Sequence, residues 1–457
     1  MFESKITIPL YLSIIVTFLY NLAPILLGYG SSMDLMFLLY SGTMYLLSNK
    51  DKRVLGYATV LSASNLANTD AHISYSLLLG ILTITKEQAS FHRIVRNLWR
   101  YFWWRMFLMS FVLVILSVPF WDLSINVFIT EVKQALSRLG YIVVLSLAVG
   151  LTIYNPKDGV RLVGLLCIVA FINFVLFYFL GSSSYQTITA TPMGTPMGVW
   201  QRIGKIDMNF VRTQVCIPIA VIAAICLVLV VSNKVRWRFS FFIYLAMISC
   251  LYMIIYLAST GSALAMTTSV VYFVFIYIYN RRTIGDLARK IFMLMIICIS
   301  LYSLFMISDI PLLIRLDDKI HAGEIDRMVY WKEGVNYIFN TPYGVGWTSR
   351  DVGAHSDYLL YFIAYGWPSG VCYLFGGLFL LLWQLHKLSF NGYGDRNIII
   401  LLFVGSVGYV VYFVNSIFDM LSANIGYFQV VWALIVTPLV ISTMVDSSSR
   451  IKRYNYF

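Results

Sequence analysis

Apolar runs of membrane-crossing length recur from one end of this chain to the other, and no soluble fold has a use for so many of them. A helix needs about 20 apolar residues, at a rise of about 1.5 Å each, to cross about 30 Å of hydrocarbon. Runs of that kind lie near Ile6–Leu27, Met33–Leu47, Leu55–Leu66, His72–Thr85, Phe102–Phe120, Tyr141–Tyr154 and Leu162–Leu180. They resume at Thr213–Ser232, Phe239–Ala258, Leu264–Tyr279 and Ile291–Ile307, and end with Tyr358–Leu385, Ile398–Val414 and Tyr427–Thr443. The expected fold is therefore all-α, a single integral membrane domain over 1–457 with about 14 (12–14) transmembrane helices. The pair between 55 and 85 is short and reads as either one element or two. Only 12% of the 457 residues are charged, about half of what covers a soluble surface.

Lys and Arg give the orientation, because they accumulate in cytoplasmic connectors. Basic connectors fall at Lys50–Arg53, Arg93–Arg105, Lys157–Arg161, Lys234–Arg238, Arg281–Lys290, His386–Arg396 and Arg450–Arg453. Between them lie Gly28–Ser32, Ala67–Ala71, Trp121–Gly140, Gly181–Arg212, Ser259–Ser262, Ser308–Asp357 and Asn415–Asn424, which are poor in cations or balanced by acids. The two sets alternate if both termini are cytoplasmic, and the two sizeable polar loops, 181–212 and 308–357, then face outward. The net charge of +12 is accounted for by those connectors meeting anionic headgroups. Without a basic run interleaved with aromatics, nucleic acid is not an expected partner. The 6 cysteines all sit in apolar runs and read as small core hydrophobes. The N-terminal run lacks a small-residue cleavage site and reads as a first span.

Chemistry is expected in the two outer loops. The first carries Pro192-Met-Gly-Thr-Pro-Met-Gly198 and then Arg202, Lys205, Asn209 and Arg212. Its prolines and glycines rule out a regular helix before Trp200. Cations kept on the side that disfavours them ask for an anionic partner, either lipid headgroups or a diphosphate. The second loop carries Arg315 and a stretch from Asp326 to Phe339 whose apolar and aromatic positions predict an amphipathic helix. There Tyr330 is among the apolar and aromatic positions, while Arg327, Trp331 and Gly334 share a face. Pro342, Gly344 and Gly346 end that helix in turns, and His355-Ser-Asp357-Tyr358 stands where the loop meets the next span. An earlier outer turn brings Asp70 and His72 to the same surface. No His, Cys and carboxylate set has the spacing of metal ligands, and no phosphate-binding loop is present. Guanidinium forks facing outward suit a lipid-linked phosphate and its departure as a leaving group.

The ordered series Arg202-x-Gly204-x-x-x-x-Asn209, Ser259-Thr-Gly-Ser262, Arg327-x-x-x-Trp331-x-x-Gly334, Pro342-x-Gly344-x-Gly346, His355-x-x-Tyr358 and Gly366-x-x-x-Gly370 resembles the bacterial O-antigen polymerase (Wzy-type) and O-antigen ligase superfamily. The resemblance covers about the second half of the chain. Two positions depart from the pattern: Ala263 stands where Arg commonly follows the Thr-Gly-Ser turn, and Ser356 where Asn often follows the loop His. The resemblance implies a metal- and cofactor-independent, inverting glycosyl transfer on the periplasmic face of the bacterial inner membrane. An undecaprenyl-diphosphate-linked oligosaccharide would be the donor, and a chain-length regulator and a flippase would be protein partners. It further implies that Arg202 and Arg327 bind the diphosphate and that His355 orients the diphosphate or the acceptor hydroxyl. Asp326, Glu324 and Asp357 remain alternatives for the general base. In a polymerase the acceptor is another lipid-linked repeat, and in a ligase it is the lipid A core. A lipid-linked oligosaccharide flippase is the rival from another class, and it predicts charged residues inside the spans.

Overall fold

The computed structural model describes residues 8–27, 32–64, 70–121, 124–179, 185–190, 196–203, 206–232, 237–256, 259–279, 325–347, 356–390, 395–418 and 425–454. The expected span Ile291–Ile307 lies outside these residues. The helices are α1 (Ile8–Leu27), α2 (Ser32–Leu47), α3 (Arg53–Ser62), α4 (Asp70–Lys86), α5 (Gln88–Trp99), α6 (Phe102–Ser117), α7 (Ile125–Ala135), α8 (Tyr141–Thr152), α9 (Pro156–Phe179), α10 (Arg212–Val231), α11 (Trp237–Tyr256), α12 (Thr260–Tyr279), α13 (Ile325–Asn340), α14 (Asp357–Phe390), α15 (Arg396–Phe418) and α16 (Ile425–Tyr454).

Among the described residues five helices are long and apolar enough to cross a membrane: Phe102–Phe120, Ile125–Thr152, Asp357–Leu388, Arg396–Ile417 and Tyr427–Met444. Shorter apolar helices accompany them. Large apolar side chains stand exposed in files, as with Leu12, Ile15 and Leu19 on α1, Phe241, Leu245 and Ile248 on α11, and Val112, Ile115 and Leu116 on α6. Water would penalise that surface, whereas hydrocarbon does not. The middle of α10, α8 and the apolar stretch of α16 are buried nearly all round, as befits helices at the centre of a bundle.

The structure settles one reading of the sequence and amends another. Of the two alternatives for the stretch between 55 and 85, two elements form, α3 and α4, packed against one another. The stretch 121–140 is mostly helix: α7 runs through a π-helical turn (Leu136–Gly140) directly into α8. The described residues are otherwise helical, as expected, apart from one small sheet. It is antiparallel and has three strands, β1 (Tyr185–Ala190), β2 (Pro196–Ile203) and β3 (Ile206–Val211), in the order β1-β2-β3.

The basic connectors at 50–53, 93–105 and 157–161, with Arg396, come together at one end of the bundle. Lys52 pairs with Glu87 at 2.9 Å, Arg53 with Asp158 at 3.0 Å, and Arg396 donates to the Ser232 carbonyl. Tyr101 donates to the Thr443 carbonyl there, and Gly159 lies against Ile441 and Leu401. A cleft of about 670 Å³ at this end is lined by Lys50, Arg53, Tyr154 and Asp158. The opposite end holds Ser262 against Asn415, Ser356 against the Ser416 carbonyl, and Trp121 against the Tyr343 carbonyl.

Candidate functional site

At that opposite end the longest helix is broken. Gly366 in α14 has φ 80° and ψ 174°, a region that only glycine occupies readily. Two residues on, Pro368 brings no N–H and so leaves the Ala364 carbonyl without its helical donor. The turn after α13 supplies what the break removes. The N–H of Gly346 donates to the Ala364 carbonyl at 2.9 Å and that of Val345 to the Ile363 carbonyl at 3.2 Å. Trp367 in turn donates its N–H to the Pro342 carbonyl at 2.8 Å. Hydrocarbon offers no partner for an opened helix, so non-helical backbone persists at such depth only where protein satisfies it.

Two motifs that the sequence places 20 residues apart, Pro342-x-Gly344-x-Gly346 and Gly366-x-x-x-Gly370, are thus one structural unit. Gly370 completes it, because a Cβ there would lie 2.6 Å from the ring of Phe362. The predicted amphipathic helix is α13, and it packs on α14 through Ile338 and Ile363, with Tyr337, Val345, Leu359 and Phe362 around them. Trp331 is half-buried and Gly334 buried, whereas Tyr330 is exposed. The Trp367 indole donates to the Ile338 carbonyl at 3.0 Å, which ties the helix to the break from its other side.

The end of the turn is gripped by residues that sequence reasoning missed. Glu131, fully buried, accepts the backbone N–H of Trp347 at 2.6 Å. Arg138, 1% exposed, lies with its guanidinium carbon 3.6 Å from the centre of the Trp347 ring and hydrogen-bonds Gln134. Both belong to the 125–152 helix. A buried acid and a buried base thus stand inside a long apolar helix. The signal was present: an acid and a base seven residues apart fall on one helix face, and ionisable residues at such depth mark functional sites by default. Reading 121–140 as a connector concealed it.

Asp357 begins α14 and is fully buried. Its Oδ2 accepts from Tyr412 and from Ser416, each at 3.3 Å. Tyr412 and Tyr373 share a 2.6 Å hydrogen bond, and Tyr361 stacks on Tyr373 at 3.9 Å. Trp347 stands edge-on to Tyr361 at 6.1 Å. Tyr358 is buried beside Phe413. A wall of aromatics thus connects the start of α14 to the gripped turn.

No protein-family model matches this chain, and no curated protein matches it either.

The remaining candidates fall as follows. Arg202 lies on β2 in register with Asp207 on β3, and Asn209 is in register with Trp200. Arg212 opens α10 directly after β3. Asp326 and Arg327 lie in the first turn of α13, and Asp70 and His72 in the first turn of α4. Lys205, Arg315, Glu324 and His355 lie outside the described residues, as does Cys298. Ser262 sits in the first turn of α12, buried, and donates to Asn415 at 3.3 Å. Cys167, Cys216, Cys226 and Cys250 are buried in the bundle, while Cys372 is half-buried. Among the described residues no group of three His, Cys, Asp or Glu is arranged around a metal position.

Proposed function

We propose that this chain is an integral membrane glycosyltransferase that joins undecaprenyl-diphosphate-linked oligosaccharide repeats into a surface polysaccharide. In this reading the chain crosses the bacterial inner membrane about 14 times with both termini cytoplasmic. The sheet-bearing segment 181–212 and the loop 308–357 lie on the periplasmic side. One observation carries the reading. The turn Pro342–Gly346 and the break at Gly366, both part of the motif series that resembles the O-antigen polymerases and ligases, hold each other in place at the end of the bundle away from the basic connectors.

The chemistry follows from the residue types. The acceptor hydroxyl attacks the anomeric carbon from the face opposite the diphosphate. The anomeric C–O bond breaks, the diphosphate leaves with the electron pair, and the hydroxyl proton passes to a loop carboxylate, with Asp326, Glu324 and Asp357 as the choices. Arg202 and Arg327 bind the diphosphate, with Lys205, Asn209, Arg212 and Arg315 nearby in sequence. Contacts to that group strengthen as negative charge builds on it, which accelerates the step instead of merely tightening binding. His355 orients the diphosphate or the acceptor. Trp331, Tyr330 and Tyr358 offer aromatic faces to sugars.

The deciding experiment supplies purified protein with synthetic lipid-linked repeats and neither metal nor nucleotide. Elongation of the repeats is the expected result, and their recovery unchanged sinks the proposal. In a strain lacking the gene, single repeats on the lipid A core identify a polymerase and bare core a ligase. Lipid-linked repeats trapped on the inner face would make it a flippase.

A further inference from the structure

Glu131 and Arg138 do more than fill the bundle. Each is a charge removed from water, which costs several kcal/mol unless it gains compensating contacts, and both contact the same residue. Glu131 takes the Trp347 N–H, and Arg138 takes the face of the Trp347 ring. The helix departs from α geometry where Arg138 sits, in the π-helical turn Leu136–Gly140, a distortion that recurs at functional sites. Trp347 is also the last residue of the docked turn, eight positions before His355. From the other side, Gly346 is bonded to the broken helix.

We propose that Glu131 and Arg138 are positioning residues. They fix Trp347, and with it the Pro342–Gly346 turn, against the break in α14. This rests on the glycosyl-transfer reading. The pair touches no substrate in this assignment. It acts through the docked turn, so its loss slows the chemical step and leaves substrate affinity alone.

The test uses the full chain in lipid nanodiscs and two measurements. Hydrogen exchange at the amides of 343–347 reads the latch directly. Glu131→Ala and Arg138→Ala should each speed exchange there by about tenfold or more, as expected for losing a charge-assisted contact. Turnover on lipid-linked repeats, counted per folded molecule, should fall by about a hundredfold with KM moved less than about twofold. Arg138→Lys, which keeps a cation over the ring, should recover part of the loss. Should the alanine variants fail to reach the membrane, Glu131→Gln and Trp347→Leu decide with the same two readouts. Exchange at the wild-type rate, wild-type turnover, or a rise in KM alone overturns the assignment. Wild-type protein inactive on the lipid-linked repeats removes the functional reading, and the exchange measurement then decides the latch by itself.

Discussion

Gly344 and Gly366 approach one another backbone to backbone, so closely that neither position has room for a side chain. A Cβ on Gly344 would lie 2.6 Å from the Ala364 carbonyl oxygen and from the Gly366 nitrogen, and one on Gly366 would lie 2.4 Å from the Tyr343 carbonyl carbon. Both residues also hold φ near 80°. Gly366→Ala should therefore cost about 1–3 kcal/mol in backbone strain alone, with the clash added to that. The measurable outcome is a lower midpoint of thermal unfolding in nanodiscs, together with lost elongation of lipid-linked repeats. A variant that keeps both would mean that the turn and the break are not coupled.

Arg327 is expected to act on the departing diphosphate. Arg327→Ala should lower turnover by about a hundred- to thousandfold, with membrane insertion intact. The readout is surface-polymer length in a complemented deletion strain. Unchanged length removes this arginine from the chemistry.

Asp357 accepts two hydroxyl hydrogen bonds through one oxygen and is fully buried. That arrangement suits an anchor that joins the start of α14 to the end of α15. Asp357→Asn keeps an oxygen for both donors and should keep most of the turnover, while Asp357→Ala should destabilise by about 1–3 kcal/mol. Equal, complete loss of turnover in both variants, with folding intact, would make Asp357 the general base.

At the basic end, Asp158 faces Arg53 at 3.0 Å and Arg161 at 3.6 Å. Asp158→Asn should lower stability by about 1–2 kcal/mol, because the cations are only partly withdrawn from water, and should leave turnover per folded molecule unchanged. Nearby, the hydrogen bond and charge of Glu87 raise the pKa of Lys52. A base raised in the folded state stabilises it below the unfolded pKa, near 10.4, and loses that contribution as pH climbs through the folded value. Stability from this pair should stay level from neutrality to about pH 10 and decline beyond it, which thermal unfolding against pH in wild type and Lys52→Met would show.

Much of this fold was legible because hydrocarbon imposes few choices: helix length, exposed apolar files and the segregation of basic connectors all follow from composition and spacing. The helix after Ile325 was legible for the same reason, from its period. The strands of 185–211 were harder to foresee, since proline and glycine announce only the absence of helix. The segment 125–140 misled because Glu131, Lys133 and Arg138 look like a surface loop until a partner such as Trp347 is known. Partners more than 200 residues away leave no local trace. The interlock of Pro342 with Trp367 was half visible: its glycines stood out, but not that they answer each other.

The broken helix also constrains how the protein is made. The donors that repair Ile363 and Ala364 belong to residues translated before α14 itself, so the preceding loop must already be waiting when this segment enters the bilayer. Truncation of that turn, or its late docking, would leave a helix with open carbonyls inside the bundle, a species that quality control would find and remove.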